Sequence, residues 1–278
     1  MDVSGSHVIE SHGARIPVLG FGTMTLKEDV CVQLVEAALR LGYRHLDTAQ
    51  MYGNEREVGS GMRSSGLKRE DIFLTTKVWF TRLAAGDFER SVDESLERLA
   101  LPWVDLLMIH WPNAQLPLPE SIAALCKMKK TGIAKHIGIA NFNIAMIEEA
   151  VKVASEPIAV LQIETHPYLD QSKVIAAARR HGMAIVGYCP LARGKVPADP
   201  TLQRIGKAHG KTPAQAALRF LMQQQIIPIP RTSKRERLAE NLGSLDFTLS
   251  EAEMAEIAKL KRPDSRSVSP PQAPKWDT

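Results

Sequence analysis

Residues 133–163 read IAKHIGIANFNIAMIEEAVKVASEPIAVLQI. Ile133 to Ala140 has the apolar, β-branched character of a strand, Ile144 to Ala154 has the length and apolar spacing of a helix, and Ala159 to Ile163 is a second strand. Strand, helix and strand in that order make the unit of a parallel sheet. The number of repeats then decides between an open sheet and a closed barrel.

Upstream, Val104 to Ile109 (VDLLMI) is almost wholly apolar and reads as a strand buried on both faces, followed by a helix near Glu120 to Lys130. Before it come the strand Ile72 to Val78 with the amphipathic helix Asp87 to Leu99, and the short strand Tyr43 to Leu46 with the helix Glu55 to Met62. The first unit is Val18 to Phe21 with Lys27 to Leu41, where Gly42 supplies a C-terminal stop. Downstream lie a helix from Ser172 to His181, a strand from Met183 to Tyr188, and helices at Thr201 to His209 and Pro213 to Gln224. Thr212-Pro213 gives the last of these a cap and a first-turn proline. The strand Ile226 to Ile229 and the helix Arg235 to Leu242 complete eight strand-helix units. This predicts an α/β fold, a (β/α)8 TIM barrel. An N-terminal β-hairpin over His7 to Val18, broken at His12-Gly13, precedes it. A last helix from Ser250 to Leu260 and a short Pro-rich tail follow. A doubly wound open sheet would call for G-x-G-x-x-G after the first strand, and GFGTMT at Gly20 to Thr25 lacks the third glycine.

With 278 residues, 44% hydrophobic and 24% charged, the chain can bury a sizeable core as a single domain over 1–278. The net charge of +4 is mild, and cations are interspersed with acids, as in Arg235, Glu236 and Arg237. The short cluster Lys127, Lys129 and Lys130 falls at a helix end, where cations favour the dipole, so nucleic-acid binding is not expected. The three cysteines, Cys31, Cys126 and Cys189, are far apart and imply neither a disulfide framework nor a metal site. No apolar run is long enough to span a bilayer and no secretory leader is visible, so a cytoplasmic protein with no membrane partner is expected. A monomer is expected too.

In a barrel of this kind, chemistry sits where strands end at the C-terminal face. The residues delivered there are Gly22 and Thr23, Asp47, Lys77, His110, Asn141, Gln162 or Glu164, Tyr188, and Arg231. Tyr52 follows Asp47 in the turn AQMYGNE. Each residue alone has a bland reading: Asp47 can cap a turn, His110 can be a hydrogen-bonded core histidine, and Asn141 and Gln162 can tie loops together. Lys77 is different, because an ammonium within IFLTTKVW needs a partner and Asp47 is the nearest anion. Together the set supports proton transfer to a developing alkoxide. Lys77 would lower the pKa of Tyr52, Asp47 would keep the lysine charged, and His110 would direct the substrate oxygen. Hydride must come from a cofactor.

GFGT at Gly20 to Thr23, YRHLDTAQMYGNE at Tyr43 to Glu55, TTKVW at Thr75 to Trp79, VDLLMIHWP at Val104 to Pro112, GIANF at Gly138 to Phe142 and IPRTSKRERLAEN at Ile229 to Asn241 resemble the aldo-keto reductases over essentially the whole chain. The tail SVSPPQAPKWD resembles the bacterial 2,5-diketo-D-gluconate reductase branch, whose members also reduce methylglyoxal and other small carbonyls. The resemblance implies an NADPH-dependent reductase of small carbonyls, NADH serving less well, with Asp47, Tyr52, Lys77 and His110 as its tetrad and Tyr52 as general acid. It further implies that Gly22, Thr23, Asn141, Gln162 and Tyr188 meet the nicotinamide side of the cofactor, and that Leu191 lies over the pyrophosphate. Arg231, Thr232, Ser233, Lys234 and Arg237 would take the 2′-phosphate, with Glu240 and Asn241 near the adenine. Cations and hydroxyls gathered at a helix start suit a phosphate on physical grounds as well. Trp79 and Trp111 would wall the substrate, and Trp276 either closes over the mouth or packs. Three departures, Ala140, Cys189 and Arg231 where Ser, Ser and Lys are usual, bear on cofactor affinity rather than on the tetrad.

Two other readings are open. Lys77 could be the nucleophile of a Schiff-base aldolase, or the barrel could bind NADPH as a non-catalytic regulatory subunit.

Overall fold

A computed structural model describes residues 7–277; residues 1–6 and 278 of the expected single domain lie outside the described residues. The hairpin pairs β1 (Val8–Ser11) with β2 (Ala14–Pro17). The first four units are β3 (Phe21–Gly22) with α1 (Glu28–Leu41), β4 (His45–Asp47) with α2 (Glu55–Ser64), β5 (Phe73–Val78) with α3 (Asp87–Leu99), and β6 (Val104–Ile109) with α4 (Leu118–Lys130). Then come β7 (Ala134–Ala140) with α5 (Ile144–Val153), β8 (Ile158–Glu164) with α6 (Ser172–Arg180), and β9 (Ala184–Tyr188) with α7 (Pro200–Ala208) and α8 (Pro213–Gln223). β10 (Ile226–Pro228) with α9 (Glu236–Leu242) ends the series, and α10 (Glu251–Ala258) leads into the tail.

Helix limits follow the local chemistry. Gly42 ends α1 at φ +115°, a conformation that side chains with a Cβ resist. Thr212 and Gln215 form a reciprocal capping box at the start of α8, behind Pro213. The first strand begins later than the periodicity suggests, because the Val18 amide is still paired with His7 O of the hairpin.

Among the described residues, eight parallel strands run in chain order from β3 to β10. The sheet closes on itself where Gly20 N donates to Pro228 O at 3.0 Å and Gly22 N to Pro230 O at 3.1 Å. Gly20 is required at this seam, since a Cβ there would stand 2.7 Å from both the His45 ring and Ile229.

Side chains alternate between two cores. Leu106, Met108, Val160, Ala184, Val186 and Ile227 fill the barrel interior, while Leu107, Ile109, Leu161, Ile163 and Ile185 face the helices. The hairpin plugs the N-terminal pole. Its Ala14 and Ile16 join the inner core, and Ser11 Oγ donates to Ala159 O at 2.7 Å and Gly182 O at 2.8 Å. Among the described residues no helix is long and apolar enough to cross a membrane.

Candidate active site

The period of two that fills the barrel also builds the site. Asp47 shares the inward parity of His45, Lys77 that of Phe73 and Thr75, His110 that of Leu106 and Met108, Gln162 that of Val160, and Tyr188 that of Ala184 and Val186. Each polar residue is the last inward position of its strand or lies just past it, so five separate strands deliver them to one pole.

They meet there. Lys77 Nζ lies 2.6 Å from Asp47 Oδ1 and 2.8 Å from Thr48 O, with the lysine side chain 0% and the aspartate 1% exposed. Gln162 Nε2 occupies the other carboxylate oxygen, Oδ2, at 2.8 Å. Burial pulls the Lys77 pKa down, and the Asp47 carboxylate opposes that pull by charge and hydrogen bond. A buried charge with its partner this close holds one geometry. The same contact favours the ammonium and so disfavours the Schiff-base reading, which needs a neutral amine.

Tyr52 ends the single 3₁₀ turn Gln50–Tyr52. Its ring stands 5.7 Å from that of His110 at 82°, and Lys77 Nζ lies 5.3 Å from its centroid. Trp79 packs edge-on against His110 at 5.2 Å, whereas Trp111 turns away to pack on Trp276 at 6.1 Å. Trp276 therefore packs on the residue that follows His110.

One electrostatic expectation is reversed. The Tyr52 pKa is not lowered by Lys77; burial pushes it well above 10, with the charge of Asp47 adding to the rise. The reason is burial first, which penalises the tyrosinate, and Lys77, held 2.6 Å from the Asp47 carboxylate, does not offset it. Burial and the Lys77 charge hold His110 well below its usual 6.5, and its Nδ1 is buried without a hydrogen-bond partner. At neutral pH the site thus presents a protonated phenol and a neutral imidazole.

Residues beyond the sequence-based set hold this arrangement. Asn54, fully buried, donates to Thr23 O at 2.8 Å and Leu26 O at 3.0 Å and accepts from Thr48 Oγ1 at 3.0 Å, which binds the β3 and β4 loops together. Gln50 accepts from Trp79 N at 3.0 Å and donates to Ser91 O at 2.7 Å, tying the Tyr52 turn to the end of β5 and to α3. Glu55, buried, takes Thr76 Oγ1 at 2.5 Å and Arg98 Nε at 2.8 Å. Asn54 and Glu55 stand within the quoted YGNE, so their signal was the adjacency of two polar residues to the Tyr52 turn.

The candidate cofactor residues fall into two groups. Asn141 sits in the left-handed region at φ +64°, donates to His110 O at 2.9 Å and accepts from Tyr188 OH at 2.7 Å. It brackets three strand ends. Gly22 and Thr23 stand beside them, Thr23 Oγ1 bonding Asp47 O at 3.0 Å. Leu191 lies in a loop where Cys189, Ala192 and Arg193 all take positive φ, a strained backbone held open beside Tyr188.

The second group surrounds the start of α9. Thr232 Oγ1 accepts from Lys234 N at 3.0 Å and shapes the turn, which leaves Arg231, Ser233, Lys234 and Arg237 exposed. None of the three cations forms an ion pair among the described residues, in contrast to the many paired cations elsewhere on the surface. Such a cluster fits a phosphate. Glu240 and Asn241 are placed differently: the Glu240 carboxylate accepts from Thr212 Oγ1 at 2.7 Å, and Asn241 is buried against Tyr43. Both serve the packing of α9 in this arrangement, and the alternation that places strand residues gave no sign of it. Of the two candidates at the end of β8, Gln162 joins the site and Glu164 instead holds the tail, through Ser267 N at 2.7 Å and Val268 N at 3.0 Å.

The model of the Aldo/keto reductase family matches residues 18–262. Methylglyoxal reductase DkgB of Escherichia coli O157:H7 is 42% identical over 94% of this chain and 99% of its own length. A solved structure named for 2,5-diketo-D-gluconic acid reductase B superposes with a TM-score of 0.97 at 49% identity, covering 99% of both chains. The Bombyx mori aldo-keto reductase solved in complex with NADP superposes with a TM-score of 0.85 at 31% identity, over 91% of this chain and 92% of that one.

Proposed function

Because the chain belongs to the aldo/keto reductase family, we propose that it reduces small aldehydes and ketones, methylglyoxal- or diketogluconate-like, to alcohols with NADPH, Tyr52 giving the proton. The observation that carries this is the buried Lys77–Asp47 pair at 2.6 Å with the Tyr52 ring beside it. A bound nicotinamide supplies the hydride. As negative charge grows on the substrate oxygen, the Tyr52 hydroxyl gives up its proton to it. Its raised pKa keeps that proton in place throughout the neutral range. His110, neutral, donates a hydrogen bond to the same oxygen and fixes its direction. Lys77 and Asp47 hold a fixed dipole beneath the phenol, so the site needs no reorganisation when charge appears.

The cofactor reading rests on the unpaired cations Arg231, Lys234 and Arg237 for the 2′-phosphate and on Asn141, Gln162 and Tyr188 for the nicotinamide. Asn141 Oδ1, which accepts from the Tyr188 hydroxyl at 2.7 Å, is an oxygen that a carboxamide N–H would find as an acceptor. The reading treats the chain as one barrel domain working as a monomer in a bacterial cytoplasm.

The test follows NADPH absorbance with methylglyoxal and with 4-methylbenzaldehyde. Wild-type protein is expected to turn over both, and Tyr52→Phe to lose about 10² to 10⁴ in kcat while still binding NADPH. Full activity in Tyr52→Phe removes the tyrosine as acid. Tight NADPH binding without turnover by the wild type across a broad carbonyl panel makes the chain a non-catalytic subunit.

A further inference from the structure

Arg98 stands in the last turn of α3, outside the barrel, yet its side chain reaches a buried carboxylate. Its Nε lies 2.8 Å and its Nη2 2.7 Å from Glu55 Oε2, and the Glu55 side chain is 0% exposed. Glu55 Oε1 accepts from Thr76 Oγ1, so both carboxylate oxygens are occupied. Thr76 and Lys77 are consecutive in β5 and face opposite sides of it. β5 therefore has a buried ion pair on each side, Asp47 with Lys77 inside the barrel and Glu55 with Arg98 among the helices. The two are not insulated: the Lys77 ammonium feels burial and Asp47 most, and after them the charge of Glu55.

The Arg98 contact is one link of a closed ring. Arg98 Nη2 donates to Ser95 Oγ at 3.2 Å, Ser95 Oγ accepts from Gln50 Nε2 at 3.0 Å, and Gln50 Oε1 accepts from Trp79 N at 3.0 Å. Trp79 follows β5, which leads back to Thr76 and so to Glu55. The ring grips residues 50–55 at both ends, by the Gln50 amide and the Glu55 carboxylate, and Tyr52 lies between them. Its base is firm. A Cβ on Gly59 of α2 would stand 2.1 Å from the carbonyl oxygen of Leu99, the residue after Arg98, so α2 and α3 meet main chain to main chain. Arg63 Nη1 also donates to that oxygen, at 3.1 Å. One planar guanidinium serves Glu55 and Ser95 together, which a lysine ammonium does less well.

We infer that Arg98 is a positioning residue for the proton transfer: by pairing with Glu55 and bracing Gln50 through Ser95, it fixes the turn that aims the Tyr52 hydroxyl, although it touches neither substrate nor cofactor. This rests on Tyr52 as the acid of the proposed reduction. Arg98 also offsets the charge of Glu55, which leaves Asp47 as the anion that Lys77 answers to.

The test follows a single turnover of NADPH oxidation with 4-methylbenzaldehyde in wild type, Arg98→Met, Arg98→Lys, and Arg98→Met combined with Glu55→Gln, each first checked for folding by circular dichroism. Arg98→Met is expected to lower the limiting rate by about 10- to 100-fold, with half-saturating aldehyde and NADPH affinity within about twofold. Arg98→Lys recovers part of the loss. The double variant, which has no stranded carboxylate, regains stability against urea but not the rate, because Ser95 and Gln50 stay unbraced. Hydrogen exchange read by NMR reports the turn itself. The Tyr52 and Gly53 amides, bonded to Ala49 O and Gln50 O at 3.0 Å, should exchange about tenfold faster in Arg98→Met, and the Leu107 amide at its wild-type rate. An unchanged limiting rate in a folded Arg98→Met, a loss confined to aldehyde or NADPH affinity, or a rate restored in the double variant overturns the assignment. Should Arg98→Met not fold, the double variant decides by the same rate. If the wild type does not turn over the aldehyde, or Tyr52→Phe keeps full activity, the reading of Tyr52 as acid fails, and the exchange of the two amides still decides whether Arg98 fixes the turn.

Discussion

At the scale of single residues, the site is governed by burial as much as by pairing. His45 lies on the inward face of β4 two residues before Asp47, and burial lowers its pKa to about 4 from 6.5. The neutral ring is the native form, so protons bind the unfolded chain first as pH falls below about 6.5. Stability is therefore present above that pH and is lost progressively down to about pH 4, by up to roughly 3 kcal/mol from this group. His110 acts in the same direction. In urea titrations across that window, His45→Gln should show a shallower decline with acid by about one proton; an equal slope would exclude His45 as the source. None of this electrostatics was legible in the sequence. The identities of Asp47, Lys77 and His110 were, because each interrupts or ends an apolar run, and a polar residue there has to be explained. The direction of the Tyr52 shift was not, since it depends first on how deeply the fold buries the phenol.

At the scale of elements, the helices and every strand but the first stand within a residue or two of their sequence-based limits, because the two periodicities and the Gly and Pro stops are local. What escaped were side chains that bond to distant backbone. Asn54 and Gln50 satisfy carbonyls and amides that lie far away in the chain, and Glu240 looks outward by sequence but bridges α9 to α8 through Thr212. The tail has no periodicity at all, so no face of it could be assigned from the sequence. The start of α9 was readable as a cation cluster. Arg237→Ala is expected to weaken NADPH binding by about tenfold or more and NADH binding little, since one charge-assisted contact to a phosphate is removed. Fluorescence titration with each cofactor checks this, and equal weakening would refute the 2′-phosphate assignment.

At the scale of the whole molecule, the eight-fold count gave the barrel, but not how it closes. The seam between β3 and β10 rests on Gly20 and Gly22 amides donating to Pro228 and Pro230, prolines that return no N–H, whereas β6 and β7 pair over five register positions. Hydrogen exchange should accordingly find Gly20 and Gly22 less protected than Leu107 and Ile139, the seam opening at a lower free energy than the centre of the sheet. Equal protection would show that the barrel opens only as a unit. The hairpin has a consequence of another kind. With Ala14 and Ile16 packed beneath the inner side chains, the hairpin plugs the N-terminal pole of the barrel. On the proposed mechanism, substrate, product and the proton that returns to Tyr52 would all pass at the opposite pole, so departure of the alcohol would precede reprotonation of the phenol in each turnover.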